Sequence, residues 1–264
     1  MYEFEYHNPK SLDEAAKIFS QADDPQFIAG GQTLLPVLKQ RLAMPSDLID
    51  LGGIDDLKGI SLDGGTLTIG AMTCHAEVAA SDTVRKAIPA LVHLAQEIGD
   101  PAVRNRGTLG GSISNNDPAA DYPGALVGLG ATVHTSAREI PADDFFTGLF
   151  ETALDEGEVV TKVSFPVPEK AAYAKFHQPA SRFALVGVFA ALAGDGPRVA
   201  VTGAGPCVFR AGEFEKALGK SFSGDALDGV AISADGLNTD LHASAEYRAH
   251  LAGVLARRAV SAAS

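Results

Sequence analysis

The stretch F-I-A-G-G-Q-T-L-L-P at residues 27–36 sets paired glycines between an apolar run and a segment with helical spacing. A second stretch, R-N-R-G-T-L-G-G-S-I-S-N-N-D-P-A-A-D-Y at residues 104–122, repeats the device. Around the first pair, Gln26 to Ala29 reads as a short strand and Gly30-Gly31 break it. Leu34, Leu35, Leu38 and Leu42 then recur with helical period, with Pro36 tolerated in the first turn. Upstream, S-L-D-E-A-A-K-I-F-S predicts a helix capped by Ser11, with Glu14 closing a capping box. Downstream, D-L-I-D-L predicts a further strand, which completes a βαβ-like unit of about thirty residues.

From Gly52 the pattern changes to short strands punctuated by Gly-Gly. K-G-I-S-L-D-G-G-T-L-T-I-G-A predicts a hairpin turning at Asp63 to Gly65. Helical patterns follow over about His75 to Ala80 and Val84 to Ile98. A-L-V-G-L-G-A-T-V-H-T reads as helix then strand, and V-V-T-K-V-S-F-P as a closing strand. Pro166-Val167-Pro168 is the best linker in the chain. Beyond it lie a strand in A-A-Y-A-K-F-H-Q-P, a buried run from Phe183, a strand in R-V-A-V-T-G-A-G and three helical segments, the last from about Ala243 to Val260. That third unit is expected to be an antiparallel sheet covered by helices.

The 264 residues suggest two domains or three small ones. A net charge of -12 argues against nucleic acid, whose phosphates are held by clustered Lys and Arg. The start M-Y-E-F-E-Y-H-N-P lacks a basic segment followed by an apolar one, so no secretory signal is expected. The longest nearly apolar run, Phe183 to Gly194, falls short of the ~20 residues that span a bilayer, so it reads as a buried strand or helix. The only cysteines, Cys74 and Cys207, fit a reducing cytoplasm, with a disulfide between them as the alternative. Two thiols cannot by themselves hold a four-cysteine iron–sulfur cluster.

A strand that ends in Gly-Gly and leads into a helix turns several N–H groups toward one point, where the helix dipole also favours an anion. Glycine lets a phosphate approach those amides and permits positive φ. Gln32 and Thr33 add side-chain donors in the first loop. Thr108 adds a hydroxyl in the second, and Asn115, Asn116, Asp117 and Asp121 supply polar groups close by. A plain tight turn is the other reading of either pair alone; a ligand with two phosphates, held from two domains, accounts for both. No G-x-G-x-x-G follows the first strand and no G-x-x-x-x-G-K-[ST] occurs, so neither a Rossmann nor a P-loop site is expected. His75, His93 and His134 are isolated, Ser112 and Ser114 sit in no nucleophile elbow, and the carboxylates are scattered. No metal centre and no catalytic residue is therefore assigned. Arg104 and Arg106 could hold a phosphate or a partner carboxylate, or simply face solvent.

Three longer stretches carry a resemblance. They are A-G-G-Q-T-L-L-P-V-L-K-Q-R-L, D-L-I-D-L-G-G-I-D-D-L-K-G-I and I-G-D-P-A-V-R-N-R-G-T-L-G-G-S-I-S-N-N-D-P-A-A-D-Y-P, in that order. The chain resembles the FAD-binding medium subunit of the molybdenum hydroxylases, the xanthine oxidase family, and most of all the medium subunits of carbon monoxide dehydrogenases. The likeness extends to Y-A-K-F-H-Q-P-A-S-R and to the closing A-E-Y-R-A-H-L-A-G-V-L-A-R-R-A.

The resemblance implies an α+β fold. Two α/β FAD-binding subdomains of the vanillyl-alcohol-oxidase-like flavoprotein type, residues 1–55 and 56–167, would precede a small C-terminal domain of antiparallel sheet and helices at 168–264. It implies that Ala29, Gly30, Gly31, Gln32, Thr33 and Leu34 line the FAD pyrophosphate. Gly107, Thr108, Gly110 and Gly111 would grip it from the second subdomain, with Asn115 in the same segment. Asp121 would contact the sugar portion, Ile98 would pack on the cofactor, and Lys175 and His177 would mark where the third domain reaches the flavin.

The implied function is an electron-transfer subunit of a molybdopterin-dependent oxidoreductase of the carbon monoxide, aldehyde or N-heterocycle dehydrogenase type. FAD would take electrons from a small subunit with [2Fe–2S] clusters, itself fed by a large molybdopterin subunit, and pass them to an external acceptor. The assembly would be a cytoplasmic dimer of heterotrimers, with peripheral attachment to the inner membrane face as an option. A self-contained flavin oxidase or dehydrogenase is the alternative. Two departures stand out. Arg182 is followed by F-A-L-V-G where many relatives place an acid, and no cysteine-rich insertion occurs, which excludes the extra cluster of the 4-hydroxybenzoyl-CoA reductase branch.

Overall fold

A computed structural model describes residues 1–263. The first unit is a three-stranded parallel sheet in which Asp47–Asp50 lies between Glu5–His7 and Pro25–Ile28. Helix Leu12–Gln21 makes the first crossover. Ser11 caps it by accepting from the Glu14 N–H, while Glu14 takes the Lys10 N–H. The second crossover helix is shorter than its leucine spacing suggests: it spans Leu34–Lys39, and Arg41 at φ 59° turns the chain away before Leu42.

The second unit holds a five-stranded antiparallel sheet. Its order is Ile60–Asp63, Thr66–Gly70, Val160–Pro166, Thr132–Thr135, Glu139–Pro141. The first hairpin turns at Gly64-Gly65, both at positive φ, as a tight two-residue turn requires. The periodic segment from Val84 to Ile98 is two helices, Asp82–Ala87 and Pro89–Gln96. Ile88 precedes a proline and takes an extended φ of -140°, while Pro89 opens the next helix.

In the third unit Lys170–His177, Ala184–Ala193, Gly196–Thr202 and Phe209–Arg210 form an antiparallel meander. Ala184–Ala193 resolves the long apolar run as a strand buried on both faces. Val186, Val188 and Ala190 pack under the C-terminal helix Ala245–Ala262. Phe189 and Ala191 face the other way, into the core of the second unit. An unbroken hydrophobic strand is what double-sided burial demands.

Helix Tyr122–Leu129, buried along its whole length, fills the space between the second and third sheets. A Cβ on its Gly128 would sit 2.8 Å from the Phe189 ring, so glycine sets how closely helix and sheet approach. Buried Arg248 pins the C-terminal helix by donating to the Leu185 and Gly203 carbonyls and pairing with Asp240 at 2.7 Å. Cys74 and Cys207 are free thiols. Among the described residues no helix is long and apolar enough to cross a membrane.

Candidate functional site

A cavity of about 770 Å³ opens where the three units meet, within the ~300–1,000 Å³ range of ligand sites. Its lining runs from Gln26 to Leu34 in the first unit and through both ends of the second glycine segment. It is completed by Phe150 to Val160 and by the Ser181-Arg182-Phe183 turn of the third unit.

The two glycine loops differ in what they offer. In the first, the N–H groups of Gly30, Gly31, Gln32, Thr33 and Leu34 make no hydrogen bond among the described residues. They border the cavity at the start of a helix, and Gly31 holds φ +72°. In the second, Gly110 and Gly111 lie inside helix Leu109–Asn115 rather than in a loop ahead of one. Leu109 N donates to Thr73 O at 3.1 Å, Gly110 N to Ala71 O at 2.8 Å, Gly111 N to the Thr108 hydroxyl at 3.2 Å and Ser112 N to Thr108 O. Thr108 is thus an N-cap, and most amides of this stretch are already spent.

The glycines here are set by close approach. A Cβ on Gly30 would overlap the Arg106 carbonyl and stand 2.8 Å from Gly107 Cα, so the two loops touch backbone to backbone. A Cβ on Gly110 would meet Ala71 Cβ at 2.6 Å.

Ala29, Gly30, Gly31, Gln32, Thr33, Leu34, Ile98, Gly107, Thr108, Gly110, Gly111, Asn115 and Asp121 all border the cavity. Lys175 and His177 do not: they stand behind its wall. Lys175 Nζ pairs with Asp121 at 2.8 Å and donates to Glu97 O at 3.0 Å, while His177 meets the Glu97 carboxylate at 2.5 Å. The Tyr173 hydroxyl also donates to Asp121, at 2.6 Å. Burial lifts the Asp121 carboxyl above its ordinary range, against the opposing pull of Lys175 and Tyr173. The third unit therefore fixes Asp121 and the backbone just before Ile98.

The other carboxylates of the lining are engaged as well. Asp117 accepts from the Ala119 N–H, and Arg138 reaches both Asp155 and Glu158 at 3.1 Å. Burial works to raise the Glu158 carboxyl, but Arg138, the Asp155 N–H and Thr135 together hold it down to about 2. Arg104 spends its guanidinium on the Ile98 and Gly99 carbonyls, which shapes the turn before the second glycine segment. No pair of free carboxylates faces the cavity to act as acid and base.

Two lining residues were not among the expected site residues, although Arg182 lies in one of the resembling stretches. Phe150 and Arg182 are non-glycine residues at φ 55° and 62°, and both border the cavity. Backbone strain at such positions is a mark of functional sites, and it is set by tertiary context. Phe150 rides on the hairpin of Phe146–Gly148 with Glu151–Thr152. Buried Asn116 holds that hairpin by donating to Gly148 O at 2.9 Å and Glu151 O at 2.7 Å. Away from the cavity, Glu5, His7 and Asp47 bring three potential metal ligands together on the first sheet, with His7 Nε2 2.6 Å from Asp47.

The cleft lies where a parallel α/β unit, an antiparallel sheet with its helices and an antiparallel C-terminal domain meet, an α+β architecture with free amides at one glycine turn. Residues 2–168 match the family described as "FAD binding domain in molybdopterin dehydrogenase", and residues 171–263 match "CO dehydrogenase flavoprotein C-terminal domain". The chain is 35% identical to the carbon monoxide dehydrogenase medium chain of Hydrogenophaga pseudoflava, over 98% of this chain and 96% of that one. It is also 35% identical to the glyceraldehyde dehydrogenase medium chain of Sulfolobus acidocaldarius, over 97% of each. Among solved structures, quinoline 2-oxidoreductase from Pseudomonas putida 86 superposes with a TM-score of 0.88 at 33% identity, covering 98% of this chain and 96% of that one. The chain belongs to the FAD-binding medium subunits of the molybdopterin dehydrogenases, an oxidoreductase family.

Proposed function

We propose that this chain carries FAD as the electron-transfer subunit of a molybdenum hydroxylase, between the iron–sulfur clusters of a small partner subunit and an external acceptor. The observation that carries the reading is the run of five unpartnered amides from Gly30 to Leu34 bordering a cavity of about 770 Å³. Such a turn at a helix start suits a pyrophosphate. The rest of the lining fits the rest of FAD: Ile28, Val37, Met72 and Ile98 offer apolar walls for ring systems, and Thr108, Ser112 and Asn115 offer polar side chains.

When bound, FAD supplies the electron-accepting ring, and the chain's own residues hold and orient it. The Gly30–Leu34 amides take the phosphates, and the Gly107–Gly111 segment buttresses that loop through the Gly30 contact. Asp121 is oriented by Tyr173 and Lys175. With every lining carboxylate engaged within the chain, the chemistry on substrate falls to a large molybdopterin subunit. The reading extends to a cytoplasmic assembly of three different subunits, paired as a dimer of heterotrimers.

Purification with its partners tests this. FAD at one per chain, with molybdenum and iron–sulfur clusters only in the assembled complex, is expected. A chain that binds no FAD overturns the reading. So does a flavin-loaded chain that oxidises substrate alone.

A further inference from the structure

His75 opens helix His75–Ala80, next to the bridge between Cys74 and Thr108 that ties the two halves of the second unit together. Its N–H donates to Gly107 O at 3.0 Å, and its ring packs 5.4 Å from the Tyr122 ring. Only 4% of the residue is exposed, and it borders the cavity. A Cβ on Gly107 would come within 2.7 Å of Nε2, so glycine at 107 leaves room for this ring.

Neither ring nitrogen has a hydrogen-bond partner in the chain. Nδ1 is sealed from solvent, whereas Nε2 is not. A neutral imidazole carries one N–H and one lone pair. Burying an N–H without an acceptor costs more than burying a bare lone pair, so the proton belongs on Nε2. Burial first, and the Arg104 guanidinium second, push the imidazole down to about 4, which keeps the ring neutral. A neutral ring with its only donor at the cavity wall, beside the loop that meets Gly30, is a group waiting for an acceptor.

We propose that His75 is a cofactor-binding residue whose Nε2–H donates a hydrogen bond to an acceptor oxygen of the FAD in the cavity. This rests on the reading given under Proposed function. Two oxygens share that chemistry, a pyrophosphate oxygen and a ring carbonyl of the flavin.

The test is titration of the full chain, freed of flavin, with FAD and separately with ADP, which has the pyrophosphate but no flavin ring. His75→Gln keeps an N–H near the position of Nε2, His75→Asn places one near Nδ1 instead, and His75→Phe removes both. His75→Phe and His75→Asn are expected to weaken FAD by roughly tenfold, about 1.4 kcal/mol, while His75→Gln stays within about threefold of the parent. Loss of ADP affinity in the same proportion assigns the bond to the pyrophosphate. Unchanged ADP affinity, with a shifted flavin absorption band, assigns it to the ring. Equal FAD affinity in parent and His75→Phe overturns the proposal, as do Gln and Asn variants that bind equally. If circular dichroism shows that His75→Phe has not folded, the Gln and Asn pair decides alone. A parent chain that takes up no FAD counts against the proposed function itself, a result distinct from any of these.

Discussion

Gly30 has no space for a methyl group, because a Cβ there would overlap the Arg106 carbonyl where the two loops touch. Gly30→Ala must push those backbones apart, and overpacking of this kind costs about 1–3 kcal/mol. The expected outcome is a lowered thermal midpoint together with lost FAD, read by unfolding scans and flavin content. Gly110→Val should behave differently from a simple ligand-site variant: its added carbons meet Ala71 in the core, so stability falls before binding can be measured. The motif made these glycines visible, but their reasons differ, and only the packing tells them apart. His75 adds a pH signature. Its folded pKa of about 4 lies below the 6.5 of a free imidazole. The unfolded chain therefore takes up the proton first, and stability present above about pH 6.5 is lost progressively as pH falls toward 4. At pH 5 the loss is about 2 kcal/mol. Denaturant titrations at pH 7.5 and 5 should show this loss in the parent and lack it in His75→Phe, whose other groups titrate unchanged.

Helix Leu109–Asn115 and the hairpin that carries Phe150 form one device, joined by Asn116. That residue ends the helix in the left-handed region at φ 43° and spends both amide hydrogens on the hairpin carbonyls. Asn116→Ala leaves two carbonyls and a helix end unsupported. The expected cost is about 1–3 kcal/mol, with protease cleavage appearing at 148–151 while the third sheet stays protected. Cleavage identical to the parent would show that the hairpin holds itself. Element types were largely open to reading from pattern: the Ser11 cap, the Gly64-Gly65 hairpin and the strand at 160–166 all carry local signals. The break at Ile88 was also encoded, in the proline that follows it, but apolar periodicity running across the break masks it. The run from Phe183 could not be assigned by pattern, because a strand buried on both faces has lost the alternation that identifies one. The amides of the second glycine stretch carry no local sign of being taken for a related reason: Thr73 and Ala71, which accept from the Leu109 and Gly110 N–H groups, arrive from over thirty residues away.

At the scale of the whole molecule the third unit lines the cavity with its Ser181-Arg182-Phe183 turn and braces it from behind through buried polar contacts. Tyr173 and Lys175 reach back to Asp121, and Thr202 Oγ1 donates to the Pro118 and Ala120 carbonyls at 3.1 and 2.7 Å. Lys175→Met strands a buried carboxylate, a change that costs about 3–5 kcal/mol when one partner of a buried pair is removed. Asp121 was picked out by its motif, yet its partners lie over fifty residues on, so its coupling to the third unit had no local signal.

The same architecture frames the last expectation, electron flow. Asp117, Asp121, Asp155 and Glu158, the carboxylates of the lining, are each hydrogen-bonded or ion-paired within the chain. On the function proposed above, electrons arrive from a partner subunit. The flavin-loaded chain by itself should not be bleached by an aldehyde, an N-heterocycle or carbon monoxide, whereas dithionite should reduce it. Adding an iron–sulfur subunit alone should change nothing. Only the complex with its molybdopterin subunit should reduce the flavin on addition of substrate, and the signal should be lost when Gly30→Ala empties the cavity of FAD. Anaerobic absorbance at the flavin band measures each case, and bleaching of the lone chain by substrate would contradict the whole scheme.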